Sequence, residues 1–396
     1  MLPWGNNTQL SGGEFYNRKN EIEILKSLLN TTSTGSPPAI IMPGIRGVGK
    51  SVLLKKIKKE MENDYLISYI DLTKSYGYQM GNLDEKGIIE EFYSSWIKAS
   101  KEKNFNTLLN QIKMKIKSKT FEIRDIVDVG GFPVPVPKTE DDIKGLLEYT
   151  MELPQNIYNK HKKNIKGCIM IIDEIQALKD LGKNLDSFLW FFRSIIQNQR
   201  NVAYIFSGSL SSKDELLEQI GGSSGAFGGR MLTTEIKPFS IKTTENYLKE
   251  RVPELKFTVD GFERFYYCTK GIPYYINIFA NLLEKNKKLN KESITKEFKR
   301  NLTMLADHLK LQWAVLNHSE QKILTILLDK PVRRKDISLK LNRTSNSLSK
   351  PINNLIKKGL IEKNGKGTYY LTEQILKAWL KEEFKTNGVY PFRTKF

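Results

Sequence analysis

The chain has 396 residues and a net charge of +19, from 63 Lys and Arg against 44 Asp and Glu. That length predicts two or three domains rather than one small core, and 39% hydrophobic with 27% charged residues exclude a disordered chain. No apolar run approaches the roughly 20 residues of a membrane span, and residues 1–5 lack the pattern of a secretion signal, so a cytoplasmic protein with no membrane partner is expected.

The positive surplus points to a polyanionic partner, with bare solubility as the plainer alternative. Cys168 and Cys268 have no metal-ligand spacing and read as small core residues in a reducing compartment.

In chain order, residues 39–45 read as a short buried strand. It runs into Gly44-Ile45-Arg46-Gly47-Val48-Gly49-Lys50-Ser51, the G-x-x-x-x-G-K-S phosphate-binding pattern. Its glycines let backbone N–H groups curl around phosphates without a Cβ in the way. Lys50 is placed for the β- and γ-phosphates and Ser51 for Mg²⁺. Val52 opens a helix whose amino-terminal dipole adds to the anion site. ATP and Mg²⁺ are the expected ligands.

A second strand is expected at 65–72. About ninety residues then separate it from the third, more than a simple crossover needs. Within this insertion, about 84–150, residues 86–118 read as helical with a Lys-rich face (Lys98, Lys101, Lys103, Lys113, Lys115, Lys117). Residues 121–131 alternate like a strand, and 132–137 carry prolines that cannot sit inside a sheet. The expectation is a projecting hairpin-like arm that braces the domain or touches a partner.

Residues 167–174 form an unbroken apolar run ending in Asp173 and Glu174, as a buried parallel strand would. Asp173 is placed to hold Mg²⁺ through water, and Glu174 to act as general base on the attacking water. Strands at 201–209 and 233–239, with a helix at 185–196, complete a doubly wound sheet whose ligands lie at the carboxyl ends of its strands. Ser207 at such an end is read either as a γ-phosphate sensor or as a turn residue.

These residues together resemble the archaeal ATPase family, a branch of the STAND NTPases related to AAA+ proteins and origin-recognition initiators. The marks are Phe15-Tyr-Asn17-Arg18-Lys-Asn-Glu21, Phe206-Ser207-Gly-Ser209, Gly229-Arg230 and Gly271-Ile272-Pro273. The resemblance implies that Arg18 contacts nucleotide, that Pro273 lies in a helical lid near the adenine, and that Arg230 serves a γ-phosphate. Arg230 would do so in its own chain or in a neighbour's, the latter through a homo-oligomer; the alternative is an arginine at a loop's end. A lid without a sensor arginine favours a slow switch over a fast motor.

Residues 245–310 read as a helical bundle. Beyond it, three short helices and a turn-linked strand pair read as a winged helix-turn-helix. Between Arg333 and Lys366 it carries ten Lys or Arg against two acids. Double-stranded DNA is the expected partner. Asn346, Lys350 and Asn353 would face base edges, Arg333, Arg334, Lys335 and Arg343 would hold phosphates, and Lys363 and Lys366 would sit on the wing. Pro351 suggests that the recognition helix starts at Ser349. A winged helix that contacts a protein partner or its own core is the rival reading.

The expected fold is thus α/β: a P-loop NTPase parallel sheet with helices on both faces, followed by a helical lid and a winged helix-turn-helix domain. The expected boundaries are 1–240, 241–312 and 313–396.

Overall fold

In the computed structural model the described residues are 2–3, 15–81, 83–105, 123–128, 133–137, 140–209, 215–364 and 367–392. The first half alternates strands and helices: α1 (Lys19–Asn30), β1 (Ala39–Pro43), α2 (Lys50–Met61), β2 (Tyr65–Asp71), α3 (Glu85–Glu102), β3 (Ile123–Asp128), β4 (Pro133–Pro137), α4 (Glu140–His161), β5 (Gly167–Asp173), α5 (Leu185–Ile196), β6 (Val202–Gly208), α6 (Glu215–Gly221) and β7 (Leu232–Thr233). Five of these strands form one parallel sheet in the order β2-β5-β6-β1-β7. β5 and β6 are buried along their whole length. That explains why they read as continuous apolar runs rather than alternating ones.

Period-two side-chain alternation splits the sheet's residues between two cores. Cys168, Met170, Ile172, Tyr204 and Phe206 face α3, α4 and α5. Ile169, Ile171, Ala203 and Ile205 face α1 and α2. All the carboxyl ends therefore meet along one rim, which holds residues 43–51, 71–74, 173–176 and 207–209.

The fifth strand is shorter than residues 233–239 suggest. Only Leu232 and Thr233 pair in register with Ile40 and Ile41. The chain keeps single hydrogen bonds beyond them, from Thr234 N to Ile41 O and Ile236 N to Pro43 O, and Pro238, which has no N–H, stops the ladder.

In the insertion, α3 ends at Glu102, and residues 106–122 lie outside the described residues, among them Lys113, Lys115 and Lys117. The expected hairpin is present as the antiparallel pair β3–β4. Pro133, Pro135 and Pro137 occupy alternate positions, so the N–H groups they lack all belong to one edge, and Val134 and Val136 remain to donate across the pair.

The second half holds α7 (Ile241–Arg251), β8 (Lys256–Phe257), α8 (Val259–Thr269), α9 (Pro273–Leu282), β9 (Lys288–Leu289), α10 (Lys291–Arg300), α11 (Asp307–Ala314), α12 (His318–Ile326), β10 (Val332–Arg333), α13 (Arg334–Leu341), α14 (Ser349–Lys357), β11 (Ile361–Lys363), β12 (Thr368–Leu371) and α15 (Gln374–Asn387). Residues 332–333 form β10 and pair with Thr368 and Tyr369, which makes the expected strand pair a three-stranded antiparallel sheet. The preceding Pro331 and β-branched Val332 favour extended backbone. α14 starts at Ser349, which places Pro351 in its first turn, where a missing N–H leaves no intrahelical bond unmade. One continuous apolar core runs from Phe239 through Phe265, Phe279 and Leu324 to Leu376 and Trp379.

Candidate active site

The phosphate-binding loop is set by two glycines in left-handed backbone, Gly47 at φ +85° and Gly49 at φ +96°. Gly49 precedes the first residue of α2, so this turn aims the helix's free N–H groups into the loop. Lys50 is buried, and all three of its ammonium hydrogens have protein acceptors within reach. Its Nζ lies 2.7 Å from Gly44 O, 3.1 Å from Ile45 O and 3.4 Å from Ser209 Oγ. Burial pulls its pKa down to about 8, against the opposing pull of Glu174 and Asp173.

Asp173 ends β5 almost fully buried. Its Oδ2 accepts a 2.6 Å bond from Tyr69 Oη, and its Oδ1 a 3.0 Å bond from Glu174 N. The Ser51 hydroxyl lies beside the same phenol; burial and the Asp173 charge push the Tyr69 pKa well above the usual tyrosine range. Tyr69 therefore joins the two residues expected to hold the metal. Glu174 sits at φ +57°, and its Oε2 accepts from Gln176 Nε2. Gln176 Oε1 in turn accepts from Ser209 N at 3.2 Å.

Gly44, Ile45, Arg46, Gly47, Val48, Gly49, Lys50, Ser51 and Val52 thus meet Asp173 and Glu174 on one rim. Ser209 reaches Lys50, while the Ser207 hydroxyl is buried without a partner among the described residues. Arg18, at φ +69°, binds Glu21 Oε1 at 2.8 Å, Val48 O at 3.2 Å and Lys237 O at 2.6 Å. Its guanidinium thus ties the loop to the β7 side of the sheet. Pro273 opens α9, and the first turn of that helix lies directly on the loop: Tyr274 N donates to Gly47 O at 3.2 Å. A Cβ on Gly47 would stand 2.8 Å from Tyr274 Cβ.

Arg230 is exposed at the other end of the sheet. Leu232, two residues on, is level with Ile40, which lies four residues and roughly 13 Å of strand before Gly44. Arg230 therefore stands away from its own chain's loop.

A cavity of roughly 880 Å³ opens over the rim. Arg46, Glu174, Gln176 and Ser209 line it from the sheet, and Asn354, Lys358, Glu362 and Glu373 from the C-terminal module. Glu373 Oε2 lies 3.5 Å from Tyr275 Oη, and burial raises the Glu373 pKa, opposed by Tyr275 and Arg46.

Of the residues expected to meet DNA, Arg333, Lys335, Arg343, Asn346, Lys350, Asn353 and Lys363 are exposed. Lys366 lies outside the described residues. Arg343 reaches Ser319 Oγ at 2.6 Å. Arg334 bonds Ser345 O and Ser349 Oγ, so its guanidinium holds the turn into α14. Lys350 also lines a second cleft with Lys179, Lys183 and Gln219 of the sheet domain.

Sequence reasoning missed Tyr69, Gln176 and Glu373. Gln176 carried a faint signal, standing two residues after Glu174. Tyr69 and Glu373 carried none, because only tertiary pairing brings them to the site.

Residues 15–279 match the family described as an ATPase domain predominantly from Archaea, and residues 308–380 match a domain of unknown function. Among curated relatives, one uncharacterized ATP-binding protein of Methanocaldococcus jannaschii is 24% identical over 277 residues, covering 66% of this chain and 68% of the relative. Another from the same organism is 22% identical over 340 residues, covering 79% and 85%. The solved structure of a Walker-type ATPase from Pyrococcus abyssi is similar in fold, with a TM-score of 0.62 at 18% identity, covering 96% of this chain and 99% of that one. No helix among the described residues is long and apolar enough to cross a membrane.

Proposed function

The chain belongs to the family of ATPase domains found predominantly in Archaea, and we propose that it is an ATP-hydrolysing switch that couples nucleotide state to duplex DNA through its basic C-terminal module. The observation carrying the hydrolytic part is the meeting of Lys50, Ser51, Asp173 and Glu174 at one rim. In this reading Lys50 and the loop N–H groups hold the β- and γ-phosphates. Glu174 takes a proton from water as the water oxygen bonds to the γ-phosphorus. The bond from that phosphorus to the ADP oxygen breaks, and ADP and phosphate leave.

The donor set suits Mg²⁺. Ser51 and Asp173 offer hard oxygens on either side of one phenol, and the nucleotide's phosphates supply further ligands. Mg²⁺ there would neutralise charge developing on the phosphates. Among the described residues no cluster of three or more His, Cys, Asp or Glu is placed to hold a metal ion.

The DNA part rests on the exposed basic and amide side chains of α13, α14 and the β11–β12 pair. A second reading has support of its own: Lys350 and Asn354 also face the sheet domain across clefts, which fits a module that holds its own core. Fluorescence anisotropy of duplex DNA across a salt series, with ATP, ADP or no nucleotide, separates the two. The switch predicts binding that weakens steeply with salt, shifts with nucleotide and is lost in the Arg333→Ala/Lys335→Ala variant. No binding in any nucleotide state favours the self-contact. Alongside, Lys50→Ala should abolish nucleotide binding, and Glu174→Gln should retain binding but lose hydrolysis.

A further inference from the structure

We propose that Gln176 is the positioning residue for Glu174 and ties the base to occupancy of the phosphate loop. This inference rests on Glu174 being the base. A single side-chain amide bridges two elements here. Its Nε2 donates to Glu174 Oε2, and its Oε1 accepts from Ser209 N at the end of β6. Ser209 Oγ in turn is the most distant of the three acceptors around Lys50 Nζ. Lys50, Ser209, Gln176 and Glu174 thus form one chain of contacts across α2, β6 and the turn after β5.

The chemistry of the links matters. Glu174 stands in left-handed backbone, which turns it off the strand axis, and a free glutamate would sample several rotamers. A donor on Oε2 fixes the carboxylate and leaves Oε1 for a water. An amide can donate to a carboxylate through its nitrogen and accept from an N–H through its oxygen; a carboxylate at position 176 could do only the second.

The other end of the chain is sensitive to ligand. Lys50 has no spare donor, so it must give up a protein oxygen to take a γ-phosphate, and the 3.4 Å link to Ser209 is the weakest to keep. Phosphate arrival therefore loosens Ser209 from the loop and is felt, through Gln176, at the base.

The test compares Gln176→Glu and Gln176→Ala with wild type and Glu174→Gln in the full chain. It reads ATP and ADP affinity, KM, and kcat across pH. Gln176→Glu keeps the acceptor for Ser209 N but sets a second carboxylate against Glu174. Both Gln176 variants should lose kcat by about 10- to 100-fold, the scale of a misplaced catalytic group. Nucleotide affinity and KM should stay within about threefold, which also certifies the fold. In Gln176→Glu the acid limb of the kcat profile should move to higher pH, because a like charge raises the pKa of the base. A Gln176→Glu protein with wild-type kcat and an unmoved profile overturns the proposal and leaves Gln176 as a cap on β6. Turnover retained in Glu174→Gln overturns the base and Gln176 together. Loss of turnover in Glu174→Gln beside unaffected Gln176 variants overturns only the positioning role.

Discussion

Asp173 is nearly out of reach of water, and its Oδ2 has a phenol for company, from Tyr69, 104 positions away in sequence. A bond to a buried charged group is worth more than a neutral one, and losing it costs about 1–3 kcal/mol. Tyr69→Phe should therefore lower the unfolding midpoint of the nucleotide-free protein. The loss should shrink with saturating Mg²⁺ and ADP, which supply compensating charge beside Asp173. Scanning fluorimetry in both states checks this, and an equal loss in each would remove Tyr69 from the metal side of the site. The contrast between legible and illegible residues is physical. Lys50 and Ser51 lie in one short loop, so spacing alone exposes them. Tyr69 meets Asp173 only because β2 and β5 pair in register, with Asp71 against Asp173.

Arg334 illustrates the same point for an element. Composition marks it as one more cation on a basic face, yet its guanidinium closes the turn between α13 and α14 on Ser345 O and Ser349 Oγ. Arg334→Ala should destabilise the C-terminal module by about 0.5–1.5 kcal/mol through the bonds lost at that turn. Arg333→Ala, on an exposed neighbour, should change stability by no more than about 0.5 kcal/mol. Chemical denaturation of the two variants makes the comparison. Strongly patterned elements were readable: the helix expected at 185–196 spans Leu185–Ile196, and its Phe188, Leu189 and Phe192 enter the core. Two-residue strands such as β7 and β10 were not, because their extent depends on a partner's ladder rather than on any local period.

At the scale of the molecule, two cores sandwich the sheet, while a third spans α7 to α15 without a break. The sequence pattern separates a lid from a winged module near residue 312, whereas apolar contact joins them. A cavity cut into one end of such a core should be felt at the other. Leu376→Ala, at a fully buried position in α15, should cost about 2–5 kcal/mol. It should lower hydrogen-exchange protection in α8 and α9 as well as in α12, leaving β5 and β6 protected. Loss confined to α12–α15 would show that the two parts open separately. This coupling was illegible in sequence because it follows from which faces of eight or nine helices end up together.

The alternating prolines of β4 carry a consequence for the chain's behaviour in a crowded solution. A two-stranded ribbon leaves an outer edge on each strand, the usual template for an unwanted third strand. Along β4 that edge has carbonyls but no donors at three alternate positions. An incoming segment would find half of each ladder rung missing, so the ribbon is guarded against seeding aggregation along that side.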